Sequence, residues 1–179
     1  MPRPLATRCN TRLAVVVALA AVAGTAGGGC GYTLSSVLPP HIKTLAVPVF
    51  ANNTVEYGLS DDVTQALSDA FLREGRLRLV SERAADAVLR GTVVSYKNRV
   101  FGYTRSERAT LYEIVLVVKV VFRDTVKNRD IWKEDALTVR TTYNVAAVGN
   151  EPARTETDGR KDVVQKLADQ VVSRTIQGW

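Results

Sequence analysis

Between Leu111 and Arg123 the chain alternates: Tyr112, Ile114, Leu116, Val118, Val120 and Phe122 fall on one side, and Glu113, Val115, Val117, Lys119, Val121 and Arg123 on the other. A period of two places successive side chains on opposite faces of an extended strand. The β-branched residues of this run lose side-chain freedom in a helix and pack well on a pleated sheet. One face is continuously apolar; the other is apolar in its middle and charged toward its ends. The run therefore predicts a principal strand whose second face is only partly suited to water.

Weaker alternation marks three more strands. Ile42 to Phe50 sets Leu45, Val47 and Val49 against Ala46, Pro48 and Phe50, and Pro48, which cannot donate to a ladder, predicts an edge position. Ala87 to Tyr96 is the second strand, and Ile131 to Tyr143, longer and more polar, follows the turn formers Lys127 to Asp130. Two segments show helical spacing instead. Leu59, Val63, Ala66, Leu67, Ala70 and Phe71 form one stripe, with Ser60 expected as N-cap, Asp61 and Asp62 in the first turn, and Gly75 as C-cap. Lys161 to Ile176 carries Val163, Val164, Leu167, Ala168 and Val171 on one face. Asn52 to Thr54 reads as a turn and Asn144 to Gly159 as an irregular loop.

The order β-α-β-β-β-α predicts an α+β fold: a two-layer α/β sandwich with a four-stranded mixed sheet and two helices on one face. Each helix has a single apolar stripe and must bury it on the sheet. A crossover between parallel first and second strands would be right-handed.

Ahead of this domain lies a different kind of sequence. Arg3, Arg8 and Arg12 precede the uncharged apolar run Leu13 to Ala23, then the small residues Gly24 to Gly29, then Cys30. This is the layout of an export signal; the apolar run is far shorter than the roughly 20 residues that cross a bilayer. A cysteine directly after such a zone resembles the lipidated first residue of a bacterial lipoprotein. Gly29 and Gly31 fit that pattern, Gly27 stands where such signals usually have Leu, and the lack of Asp after the cysteine goes with the outer membrane. The expected organisation is a removed signal peptide over 1–29, a lipidated tether over 30–40 carrying acyl chains such as palmitate on Cys30, and one α/β domain over 41–179. Ordinary cleavage near Ala21-Val22-Ala23 would instead leave Cys30 as a spare thiol.

Charge changes with this processing. Loss of Arg3, Arg8 and Arg12 takes the 24 basic residues to 21 against 18 acidic, a net of +3 in place of +6. That balance gives no case for a nucleic-acid partner. Nor is catalytic chemistry visible. His41 is the sole histidine, reads as an exposed bystander at a strand entrance, and leaves no hydroxyl or thiol a base partner. No Cys/His cluster for a metal and no Gly-rich phosphate loop occurs, so no cofactor is expected. The carboxylates Glu113, Asp124, Glu134 and Asp135 share no spacing. The chain reads as a non-enzyme.

One segment has functional composition. Lys97 to Arg108 holds Lys97, Arg99, Arg105 and Arg108 with Phe101 and Tyr103, between the second and third strands. Such a tip pairs cations with phosphates while its aromatics lie on acyl chains or protein. The same composition also suits a solvated hairpin tip.

Several stretches taken in order resemble the LptE family of lipopolysaccharide-assembly lipoproteins. They are Gly29 to Leu34, Leu38-Pro39-Pro40, Ile42 to Phe50, Leu79-Val80, Ala85 to Gly91, and Tyr112-Glu113 opening a Val-rich strand. The resemblance implies a lipid-anchored protein on the periplasmic face of the outer membrane. It implies complex formation with the LptD β-barrel as its plug, support of barrel assembly, and help in inserting lipopolysaccharide into the outer leaflet. It also implies lipopolysaccharide contact through basic residues, placed here at Arg105 and Arg108, with Lys97 and Arg99 beside them. As the alternative, the segment Thr44 to Thr54 followed by a helix also resembles periplasmic lipoproteins that activate a peptidoglycan synthase or build curli-type secretion channels, which lack the long Tyr112 to Arg123 strand after a basic hairpin. The short tether Gly31 to Pro40, at most about 35 Å when extended, favours work close to the membrane.

Overall fold

The alternating run lies inside a six-stranded mixed sheet. The structure, a computed structural model, describes residues 38–103 and 109–177. Its elements are β1 (Thr44–Ala46), β2 (Ala51–Asn52), α1 (Leu59–Glu74), β3 (Arg78–Leu79), a single 3-10 turn (Glu82–Ala84), β4 (Ala87–Tyr103), β5 (Ala109–Asp124), β6 (Arg129–Asn144) and α2 (Glu156–Gln177). The strand order is β3-β1-β4-β5-β6, with β2 paired to β4. β4, β5 and β6 form an antiparallel meander, while β1 runs parallel to both β3 and β4. The α+β class and the two helices stand as expected; the sheet has six strands where four were expected.

The differences have local causes. The first strand is broken into β1 and β2 around Pro48, which has no N–H to contribute. β1 is internal to the sheet, because the two-residue β3, too short to show any period, takes the edge. β4 continues past Tyr96 to Tyr103, so the first half of the expected basic loop is strand. Its polar residues Lys97, Asn98 and Arg99 stay extended because β5 supplies ladder partners in Val115, Ile114 and Glu113; pairing overrides a weak local preference. α1 starts at Leu59, with Gly58 rather than Ser60 at the N-cap in a left-handed conformation (φ 72°). Gly75 caps the other end as expected, its N–H reaching the Phe71 carbonyl. α2 begins earlier than expected, because Thr155 and Asp158 form a reciprocal cap: the Asp158 N–H donates to Thr155 Oγ1 and the Thr155 N–H to the Asp158 carboxylate.

A single core fills the space between helices and sheet. Ile114, Leu116, Val118, Val120 and Phe122 of β5 have no solvent exposure, and Leu59, Val63, Leu67, Val163, Ala168 and Val171 meet them from the helices with none either. Two glycines set how closely the layers approach. A Cβ on Gly91 would stand 2.1 Å from the Phe50 ring and 2.8 Å from the Lys119 carbonyl oxygen; one on Gly159 would stand 2.7 Å from Tyr143 and 2.9 Å from Ile114.

The base of the sheet is closed by two carboxylates. Asp86 Oδ2 accepts from the N–H groups of Lys43 and Thr44 at 3.0 and 2.9 Å and from Thr44 Oγ1 at 2.8 Å. Those bonds hold the Asp86 carboxyl below the ordinary carboxylate range. Asp124, fully buried, accepts from His41 Nε2 at 2.8 Å and from the Lys127 N–H at 2.9 Å. Burial raises its pKa, but these donors outweigh burial and the net shift is downward. His41 is therefore half-buried and ion-paired, not the exposed bystander its neighbours suggested.

Two predictions follow from this packing and this charge. Gly91→Ala drives a methyl group into the Phe50 ring and should cost roughly 1–3 kcal/mol by urea denaturation; the same change in a Phe50→Leu background should cost clearly less. Because the folded pKa values of Asp86 and Asp124 are depressed, their stabilisation is complete above about pH 4 and lost as pH falls through the folded values. Thermal melts should show a steep acid limb below about pH 4. Asp86→Asn and Asp124→Asn should each lower the melting temperature at neutral pH and flatten that limb.

Candidate functional site

The face of the sheet turned away from the helices has no layer of described residues over it. Register sets its side chains in rows across the three long strands. Lys97, Val115 and Arg140 lie side by side; Ser95, Val117 and Thr138 form the next row; Arg90, Val121 and Lys133 form another nearer the base. Val115, Val117 and Val121 are half-buried rather than covered. Two of these valines thus sit between a cation on β4 and a cation on β6, which gives an apolar stripe with positive borders. Such a surface suits a ligand or partner that is apolar in its body and anionic at its margins.

Cross-strand ion pairs neutralise other charges on the same face. Arg99 donates through Nε and Nη2 to Glu113 Oε2 at 2.8 and 2.5 Å, and Glu113 is buried at 7% exposure. Lys119 meets Asp135 at 2.8 Å and holds that carboxyl below its usual range; Arg123 meets Asp130 at 3.0 Å. Among the described residues no carboxylate lies within ion-pair distance of Lys97 or Arg140. These two stand in one row; among the described residues Lys133, nearer the base, also has no carboxylate within ion-pair distance.

The upper end of the sheet is built from aromatics. On the helix side Tyr112 stacks on Tyr143 with ring centroids 5.6 Å apart, Asn98 Nδ2 donates to the Tyr143 hydroxyl at 2.8 Å, and the Tyr96 hydroxyl donates to Glu156 at 3.1 Å. Burial, reinforced by the Glu156 charge, pushes the Tyr96 pKa upward. Phe101 and Tyr103, at the end of β4, remain 59% and 67% exposed.

Of the residues singled out in the sequence, Lys97 and Arg99 lie on the outer face of β4, one residue apart. Cys30, Arg105 and Arg108 lie outside the described residues. The scattered carboxylates each acquire a cation: Glu113 takes Arg99, Asp124 takes His41, Glu134 takes Arg174 at 2.9 Å, and Asp135 takes Lys119. These pairings hold strands and a helix in place. Among the described residues no group of three or more His, Cys, Asp or Glu could hold a metal ion. No helix among them is long and apolar enough to cross a membrane. Arg140 was missed in the sequence because only the β5–β6 register brings it beside Val115.

Comparison with known proteins bears on both fold and family. The PelC dodecamer from Paraburkholderia phytofirmans is similar at a TM-score of 0.52 and 20% identity, over 80% of this chain and 95% of that one. Protein XCC0632 from Xanthomonas campestris is similar at 0.55 and 11% identity, over 78% and 89%. A third similar structure, protein CT253 from Chlamydia trachomatis, gives 0.50 and 12% identity over 74% and 95%. At such identities these structures show a shared fold. No curated protein sequence matches the chain. The profile of the LptE lipopolysaccharide-assembly family, by contrast, matches residues 42–175, from the entrance of β1 almost to the end of α2. The chain belongs to the LptE family of lipopolysaccharide-assembly proteins.

Proposed function

We propose that this chain is a lipoprotein of the outer membrane, attached at its periplasmic face through acylated Cys30. There it complexes with an LptD-type β-barrel, supports barrel assembly, and assists lipopolysaccharide insertion into the outer leaflet. The role is binding and positioning, with no turnover and no cofactor. The family match over residues 42–175 carries this reading, and the sheet face supports it. A half-exposed valine stripe bordered by Lys97 and Arg140 is poorly suited to water and well suited to a barrel wall or an amphipathic anion. Lys97, Arg99, Arg105 and Arg108 are the proposed lipopolysaccharide contacts, since phosphates are bound most strongly by charge-assisted hydrogen bonds.

The complex is tested by purifying the tagged full chain from detergent-solubilised outer membranes. A large β-barrel should be recovered in near-stoichiometric amount and lost when the lipopolysaccharide-assembly barrel is depleted. Recovery of a peptidoglycan synthase instead would overturn the reading. The ligand contact needs a control, because Arg99 has a structural duty. Arg99→Ala leaves Glu113 buried without its cation and should cost about 1–2 kcal/mol of stability; Lys97→Ala should change stability by under about 0.5 kcal/mol. Lys97→Ala combined with Arg105→Ala and Arg108→Ala should weaken lipopolysaccharide binding by about tenfold, equivalent to about 1.4 kcal/mol. Unchanged affinity in a calorimetric titration would remove these residues from the site.

A further inference from the structure

Among the described residues, nothing pairs with one edge of β4 beyond Val93. β2 pairs with β4 only at Thr92 and Val93, and the Asn53 N–H closes that ladder on the Val93 carbonyl at 3.0 Å. The chain is then turned away by its own side chains. Asn52 Oδ1 accepts from the N–H and hydroxyl of Thr54 at 2.9 and 2.7 Å, Asn52 Nδ2 donates to the Glu56 carbonyl at 2.8 Å, and the Glu56 N–H donates to Thr54 Oγ1 at 3.2 Å. Above that turn, β4 pairs with β5 along its other edge as far as Tyr103. Among the described residues no strand pairs with the near edge of β4 from Ser95 to Tyr103. Irregularities after Val93 and after Val100 bracket the stretch, and between them Ser95 to Val100 keeps regular register, about 20 Å of strand.

An exposed edge offers unpaired N–H and C=O groups to another strand, and natural proteins ordinarily blunt it. The far edge of this sheet is blunted: β6 carries Arg129, Asp130, Lys133, Glu134, Asp135 and Arg140, and its register shifts opposite Lys119. The β4 edge instead carries exposed apolar side chains. Val94 is 45% exposed, Phe101 59% and Tyr103 67%, while Val55 and Tyr57 in the hydrogen-bonded turn at its foot are 98% and 97% exposed. The turn is further fixed where Arg160 Nη2 donates to the Tyr57 carbonyl at 2.8 Å. Two large apolar side chains held out in water by a braced turn mark a contact surface.

Charge decides the occupant. Lys97 and Arg99 stand on the outer face of this edge stretch, and of the two only Arg99 has a carboxylate partner among the described residues. A second copy pairing antiparallel across a two-fold axis would bring these cations toward their own equivalents, which is unfavourable. We propose that β4, from Ser95 to Tyr103, receives an extended acidic segment of a partner protein as an additional strand. Main-chain hydrogen bonds provide the affinity, carboxylates opposite Lys97 and Arg99 fix the register, and Val55, Tyr57, Phe101 and Tyr103 cover its apolar side chains. The proposal shares Lys97 and Arg99 with the proposed lipopolysaccharide contacts, but it requires neither lipopolysaccharide binding nor the barrel complex to hold.

The test uses the full chain in detergent micelles with a nine-residue peptide of alternating glutamate and valine. One control peptide is N-methylated at alternate residues; in a second, lysine replaces glutamate. The acidic peptide should bind at least tenfold tighter than either control by fluorescence anisotropy. It should slow amide exchange across residues 95–103 and leave residues 129–144 unchanged. Lys97→Glu should narrow the preference for the acidic over the basic peptide. Equal binding of the N-methylated peptide, slowed exchange on β6 instead, or no binding at all would each overturn the proposal. So would sedimentation as a dimer with residues 95–103 already protected in the absence of peptide, since the occupant would then be a second copy.

Discussion

Ile114, Leu116, Val118, Val120 and Phe122, alternate residues of one strand, are wholly removed from solvent, and the other parts of the domain are arranged around that fact. Each side chain of this size contributes about 1.5–3 kcal/mol when fully buried. The row is worth burying only if both helices lie on the same side of the sheet. β4 and β6 are long because β5 is long: their polar stretches would not stay extended alone, and the β5 ladder holds them. Gly91 and Gly159 belong to the same constraint, since they let Phe50 and the first turn of α2 approach the sheet without a Cβ between. The domain can therefore carry the polar strand β6 and still keep this architecture.

Electrostatics in this domain runs mainly across elements rather than along them. His41 joins the entrance of β1 to the end of β5, Arg99 joins β4 to β5, Lys119 joins β5 to β6, and Arg160 joins α2 to Asp62 of α1. Exposed pairs of this kind are individually weak. Their sum matters less for stability than for which charges they leave over. Among the described residues these pairings leave Lys97 and Arg140, in one row on either side of Val115, without a carboxylate partner. The positive character of the face is thus local, and the modest net charge of the chain does not reveal it.

The sequence was legible where a period was strong and unbroken. β5 was read within two residues at its start and one at its end, and both helices showed their buried stripes, because side-chain alternation and helical spacing report burial directly. What escaped had physical reasons. β3 spans only Arg78–Leu79, too short for any period, so the edge was misplaced onto β1. The extension of β4 through Lys97 and Arg99 is imposed by a partner strand and leaves no local trace. The early start of α2 was announced by Thr155 and Asp158, a signature that Gly159 masked. At the candidate site, Lys97 and Arg99 could be singled out from composition as candidates. Arg140 could not, since its place beside Val115 depends on the β5–β6 register, and neither could the cation partners of Glu113 and Asp124.

The two ends of β4 do different work. At Ala87 the strand meets the base, where Asp86 binds Thr44 and the neighbouring Asp124 binds His41, so the chain entering β1 is held at that end. At Tyr103, roughly 55 Å along an extended strand, lie the exposed aromatics, the open edge and the cations Lys97 and Arg99. The base holds two carboxylates with their donors in place, Asp124 fully buried and Asp86 half-buried, which fixes the entrance of β1 against the sheet. The far end combines exposed apolar surface, unpaired backbone and unneutralised charge, each of which costs stability in water unless something binds there. The fold thus keeps its locks and its exposed liabilities at opposite ends of one strand, so that whatever binds at the far end need not disturb the contacts that hold β1 in the sheet.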